Sequence, residues 1–289
     1  MSKDDRGNPI QRFMNSASEI RPNELQATLL SALFVFILMT AYFMLRPARD
    51  AMASDWSDAE VSWLWTINFF ISLGAVMVYG FAASNIRFRW LVPGVYIFFA
   101  VSFFAFYAGS RWVPEPTLID KSFYVWLSVF SLFHVSVFWS FMSDLYSRQQ
   151  APRLFGFIAM GSSVGAIAGP LIAGATADMI SAKELMLVSA AMLFIPVPII
   201  FRLEHLKASA LGNAELHVDL SKQTLGKNPF EGFALFLRSP FLLGIAAFIL
   251  LMTFVSTMLY FQQANLVAEV FNDRGERTAF FAKVDLAVN

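Results

Sequence analysis

Apolar residues in this chain come in long unbroken runs, not in the alternation of a half-buried strand or the single stripe of a soluble helix. A bilayer core about 30 Å thick takes ~20 mostly apolar residues per helix. Seven stretches meet that length: Leu25–Leu45, Val61–Phe81, Leu91–Gly109, Ser122–Leu145, Phe155–Thr176, Leu185–Phe201 and Phe241–Phe261. An eighth opens near Thr278, and the sequence stops inside it. Between the sixth and seventh runs lies Arg202–Arg238, polar and far longer than the other connections. The pattern predicts an all-α polytopic membrane protein in four parts. Residues 1–24 form a polar leader, 25–201 a six-helix bundle, 202–238 a central loop, and 239–289 the start of a second bundle. Six helices, a long loop and then more helices is the layout of a 6+6 secondary transporter built from two repeated halves. An ordinary seven- or eight-helix protein with one large loop fits the same pattern. On the first reading the chain is a truncated product or fragment, and its missing C-terminal half is an expected partner.

Composition sharpens the picture. Hydrophobic residues make up 57% and charged residues 15%, against about 45–50% and about 25% in soluble domains. That is more apolar side chain than one soluble core can bury. Lys and Arg balance Asp and Glu at 21 each, so nothing in the charge suggests a nucleic-acid partner. With no cysteine, disulfides, CxxC zinc sites and thiol catalysis are excluded. The three histidines, His134, His205 and His217, make no metal-ligand cluster. Neither a Walker loop, HExxH, a nucleophile elbow nor a dinucleotide fingerprint is present, so neither enzyme activity nor a cofactor is expected. The leader lacks the apolar segment and small-residue cleavage site of a secretory signal. Placing it inside puts thirteen Lys and Arg on inside segments and seven on outside loops. The bias predicts a cytoplasmic N-terminus in the cell's inner membrane.

Four groups of residues carry candidate chemistry. At the end of the first span, Tyr42, Arg46 and Arg49 fall at i, i+4 and i+7, one face of a continuing helix. Asp50, four residues after Arg46, is placed to pair with it. Two guanidiniums there suit a carboxylate or phosphate ligand; interfacial snorkelling with a local ion pair is the alternative. His134 in the fourth span and Asn68 in the second are polar groups at membrane depth. They serve either as proton or substrate contacts or as interhelical hydrogen-bonding groups. Asp144 and Arg148, an i, i+4 pair, with Arg153 beyond them, form either a gate latch or a solvated loop. In the fifth span Gly161, Gly165 and Gly169 recur every four residues, followed by Pro170 and Gly174. Such a small-residue ridge lets a second helix backbone approach closely, and Pro170 removes a backbone donor.

Two of these segments carry a family resemblance. Gly165-xxx-Gly169-Pro170-xxx-Gly174 is similar to the GxxxGPxxGG-type motif of major facilitator superfamily (MFS) antiporters. The loop Gly80-Phe-Ala-Ala-Ser-Asn-Ile-Arg87-Phe-Arg89 resembles that superfamily's GxLaDrxGrr motif in degraded form, with Ser84 at its acidic position. The stretches LRPARDAM and FWSFMSDLYSRQQAPRLFGFIAMGSSVGAIAGP resemble bacterial MFS-related proteins of the nucleotide (ATP/ADP, NTP/NDP) exchange translocase family. That family has an LRxxKD-like stretch whose basic residue contributes to phosphate recognition. Arg49 falls on that position and Arg46 on the preceding Arg. The likeness spans about residues 25–285 and implies alternating access between two helix bundles. It also implies a small, anionic or nucleotide substrate, Asp144, Arg148 and Arg153 as part of an inner gate, and the glycine ridge as a sliding surface. A non-transporting membrane scaffold or partner subunit is the reading from another class.

Overall fold

The computed structural model describes residues 20–112, 116–177, 179–213 and 239–289. The rest of the predicted leader, residues 1–19, and of the central loop, 214–238, lie outside the described residues, as does the side chain of Ser84. All regular structure among the described residues is helical: α1 (Leu25–Ala53), α2 (Asp58–Asn85), α3 (Phe88–Trp112), α4 (Pro116–Leu145), α5 (Ala151–Thr176), α6 (Ala182–Met192), α7 (Pro196–Ser209), α8 (Pro240–Val270) and α9 (Arg274–Val288). Seven segments are long and apolar enough to cross a membrane, and they coincide with the seven predicted runs. The sixth, Lys183–Ser209, combines α6 and α7. Pro196 and Pro198 lack the N–H groups a continuous helix needs, and the chain turns tightly at 193–195 through i→i−3 bonds from Phe194 and Ile195.

α1 is the axis. It is lined on its buried faces by Phe34, Leu38, Ala41, Met44 and Leu45, all at or near zero exposure, and packs along α5 more extensively than any other pair of helices. The seam is made by the glycine ridge. A Cβ on Gly161 would collide with the Ala32 carbonyl. On Gly165 it would lie 2.5 Å from the Phe36 oxygen, and on Gly169 2.8 Å from the Met44 nitrogen. The three glycines therefore meet α1 backbone over three turns. This face belongs to the α1–α7 packing unit; Gly174 alone points elsewhere, toward Ala282 of α9.

Around the α1–α5 seam, α4 adds an aromatic interior: Phe99 and Phe103 of α3 pack against Phe130 at 5.0 and 5.2 Å, and Phe34 meets Phe138 at 5.1 Å. Aromatic pairs of this kind, two of them edge-to-face, add roughly 0.5–1.5 kcal/mol each beyond burial. Outward faces of α2, α3 and α8 expose Phe69, Phe70, Phe81, Phe98, Phe248 and Leu250. Large apolar groups over several helices are stable only against hydrocarbon, the expected environment of a multi-pass membrane protein.

α8 and α9 join the remainder unevenly. α8 is buried only at Ala264 and Val267, near its C-terminus. There Val267, Ala51 and Phe281 form a small cluster of their own. α9 packs on α1 and α5. Contacts of α8 and α9 with the other helices thus gather at the end of the molecule that carries Ala53, and α8 stands apart from α1 toward the end that carries Leu25.

Candidate functional site

α1 remains helical beyond the predicted limit at Leu45, through Pro47 to Ala53. The extension places Arg46 and Arg49 on the wall of a wide-open cavity of about 630 Å³ between α1, α2, α4 and α8. α2 contributes Trp65 and Asn68, α4 contributes Tyr124 and Ser128, and α8 contributes Thr253, Ser256, Thr257 and Tyr260 with an apolar stretch at Phe248–Met252. Pockets of 300–1,000 Å³ are the usual size for a small-molecule ligand.

The polar groups are tied into one network. Arg49 donates through Nε and Nη2 to Asp50 Oδ1 at 3.0 and 2.8 Å, and its guanidinium lies 5.2 Å over the Tyr124 ring. Arg46 reaches Asp50 Oδ2 at 3.9 Å and, through Nη1, Asp285 Oδ1 of α9 at 3.4 Å. The Trp65 indole donates to the Tyr124 hydroxyl at 2.7 Å. That hydroxyl lies 3.4 Å from the Tyr260 hydroxyl, which donates to Asp50 Oδ1. Arg49, Asp50, Trp65, Tyr124 and Tyr260 are each held by at least two neighbours, so this part of the wall is ordered before a ligand arrives. Arg46, paired with both Asp50 and Asp285 but about a third exposed, is the more accessible of the two cations.

The other two residues expected at the site sit elsewhere. Tyr42 stacks on the His134 ring at 4.7 Å, and Phe130 lies against both rings, 5.2 Å from His134 and 6.4 Å from Tyr42. His134 is 3% exposed, its Nδ1 bonded to the Phe130 carbonyl one turn back. Neither residue lines the cavity. α1 presents different neighbours at each turn, and the face that carries Tyr42 meets α4 where α4 is packed and not where it opens.

The predicted latch also has different partners. Asp144 pairs with Lys207 of α7 at 2.6 Å, not with Arg148. Among the described residues Arg148 makes no ion pair and is exposed. Lys207 displaces it because Lys207 is buried and Asp144 half-buried, whereas Arg148 is exposed; attraction is screened less away from solvent. Arg153 takes Glu24, the residue before α1, with Nη2–Oε1 at 2.8 Å and Nη1–Oε2 at 3.2 Å. Both bridges connect helices of the α1–α7 unit to one another. Burial pushes the Glu24 carboxyl up, but Arg153, the Arg21 amide and Gln150 together hold it below its ordinary value.

Charges that join α9 to α1–α7 lie at the Ala53 end. Arg274 bridges Asp55 at 2.6 Å and Asp120 at 2.8 Å, and Arg277 takes the other oxygen of Asp55 at 2.6 Å. Arg277 also donates to Ser54 Oγ at 3.1 Å. Sequence reasoning missed this cluster because its partners are more than 150 residues apart. It also missed the hydroxyl face of α8, although Thr253, Ser256, Thr257 and Tyr260 recur at helical spacing in an otherwise apolar run.

The family model described as Major Facilitator Superfamily matches residues 31–281. No curated protein and no solved structure matches the chain.

Proposed function

From the premise that the chain belongs to the Major Facilitator Superfamily and is a membrane transporter, we propose that it is a secondary active transporter for a small anionic solute. The observation that carries this reading is the placement of Arg46 and Arg49 side by side on the wall of a ligand-sized cavity. Arg is always charged and binds carboxylate or phosphate through a planar fork. Alternating access supplies the mechanism: residues 25–201 and the bundle begun at 239 rock about the cavity and expose it to one side at a time. With the N-terminus in the cytoplasm of an inner-membrane protein, the Ala53 end is external. Arg274, Arg277, Asp55 and Asp120 then form the outer closure, and the geometry described corresponds to an inward-facing state. Asp144–Lys207 and Glu24–Arg153 brace the first bundle internally, and the α1–α5 seam moves as one piece.

Uptake of radiolabelled anions into proteoliposomes tests the reading, with Arg46→Ala and Arg49→Ala beside the parent. A charge-assisted hydrogen bond contributes roughly 1.5–3 kcal/mol, so each substitution lowers anion affinity by about 10- to 150-fold. Wild-type affinity in both variants refutes the anion site.

A second reading, exchange of ATP- or ADP-type nucleotides, is favoured by one further observation. Trp65 of α2, bonded to Tyr124 and stacked on one face by Phe261 at 5.1 Å, lines the same cavity as the arginines, and a nucleobase would pack on the indole surface left to the cavity. Counter-exchange of labelled ATP for ADP, lost in Trp65→Ala and Arg49→Ala, supports it; uptake of simple anions without nucleotide exchange rules it out.

A further inference from the structure

The cavity's charges cancel as they stand. Arg46 and Arg49 bring two positive charges, and Asp50 and Asp285, each in an ion pair with them, return two negative ones. An anion entering a neutral site gains little from cations already matched by carboxylates. One of the two acids must therefore give way when the ligand binds.

Asp50 is fully engaged, accepting from Arg49 twice and from Tyr260. Asp285 is not. It is 7% exposed, it touches Arg46 through Oδ1 only, and its buried Oδ2 has no hydrogen-bond donor among the described residues. A carboxylate in that condition keeps its charge at a cost, and a proton on Oδ2 relieves it. The groups facing it are few. From α1 come Arg46 in contact, with Asp50 and Arg49 behind it. α5 faces α9 through Gly174, and its one ionisable side chain, Arg153, is near the opposite end of that helix. On α9, Lys283 is exposed, while Arg274, Glu276 and Arg277 lie two turns or more away. From α8, Tyr260 is spent on Asp50 and Glu269 is exposed.

We propose that Asp285 is the proton-accepting partner of the Arg46–Arg49 site, so that one proton and the anion are carried together. The proposal rests on the anion-transport reading of the cavity. A proton taken up on Oδ2 neutralises Asp285 and dissolves its ion pair with Arg46. The site then carries one net positive charge, and Arg46 is released toward the cavity. Loss of the proton restores the pair and withdraws Arg46 from the ligand. Asp285 acts through Arg46 and does not itself line the cavity, so it is a positioning residue.

Two measurements on the purified protein test this. The first needs no ligand. Infrared difference spectra between about pH 8 and about pH 5 should show a protonated-carboxyl band that Asp285→Asn abolishes and Asp285→Glu retains. The second uses proteoliposomes with inorganic phosphate, succinate and ADP as probes. Binding of the accepted probe should tighten on acidification by up to about tenfold per pH unit. Asp285→Asn should bind with the low-pH affinity at every pH, keep counterflow exchange and lose accumulation driven by an inward proton gradient. Asp285→Glu should restore the pH slope. A band that survives in Asp285→Asn, or a wild-type slope in that variant, overturns the coupling alone. Failure of the wild type to bind any of the three probes overturns the anion reading, and the coupling with it.

Discussion

Replacing Gly165 by Ala adds one methyl group to the place where α5 rests on α1. That methyl would sit 2.5 Å from the Phe36 carbonyl oxygen and 2.8 Å from the Met39 Cβ, where unstrained carbon contacts fall at about 3.5–4.0 Å. Relief requires the helices to part by about 1 Å, since one obstructing atom is backbone and cannot rotate aside. Overpacking of this kind costs about 1–3 kcal/mol, and separation loosens the neighbouring contacts at Gly161 and Gly169 as well. The same substitution at Gly156 meets nothing within 4 Å, and there Ala gains up to about 1 kcal/mol of helix propensity. Thermal unfolding in detergent, followed by loss of the monodisperse size-exclusion peak, should place Gly165→Ala well below the parent and Gly156→Ala at or above it. Equal midpoints for the two variants would refute the claim that the ridge is a backbone-to-backbone seam.

Three further outcomes follow. Asp50→Ala strands Arg49, whose side chain is only 13% exposed; leaving a buried charge unpaired costs about 3–5 kcal/mol, visible as a collapse in folded yield. Because the chain has no cysteine, Ser128→Cys is a clean reporter of the cavity. Its labelling by a membrane-impermeant thiol reagent added outside should rise several-fold when Arg274 and Arg277 are both replaced by Ala; unchanged labelling would remove the outer closure. Glu24, held below its ordinary value of 4.5, contributes stability that is present above that value and is lost as pH falls through its lowered folded value. Melting points measured from about pH 7 down to about pH 3.5 should drop in the parent and stay flatter in Glu24→Gln.

The spans were legible because hydrocarbon thickness dictates both their length and their composition. The ridge was legible too: three glycines one turn apart on an apolar helix have little use except close approach. Arg46, Arg49 and Asn68 stood out as polar groups in such runs. What periodicity could not say was which neighbour each face meets. Tyr42 shares a face with Arg46 yet packs on His134, inside the bundle. Asp144 had a partner four residues away and took one sixty-three positions distant. The apolar run of span one ends at Leu45, and a continuing helix is expected to carry Arg46 and Arg49 on one face; the structure continues it to Ala53. The helix goes on because Asp50 pairs with both arginines, which makes the polar turn self-sufficient.

The hydroxyl face of α8 has a consequence for selectivity. Thr253, Ser256, Thr257 and Tyr260 climb about 10 Å of helix at 1.5 Å per residue. A hydroxyl can donate or accept, so with Tyr260 already given to Asp50 the Thr and Ser hydroxyls above it offer a passing solute successive rungs with no preference for the sign of its charge. On the proposed anion reading, discrimination is then lodged on the facing wall, in α1: one side of the cavity chooses the cargo, and the other lets it pass.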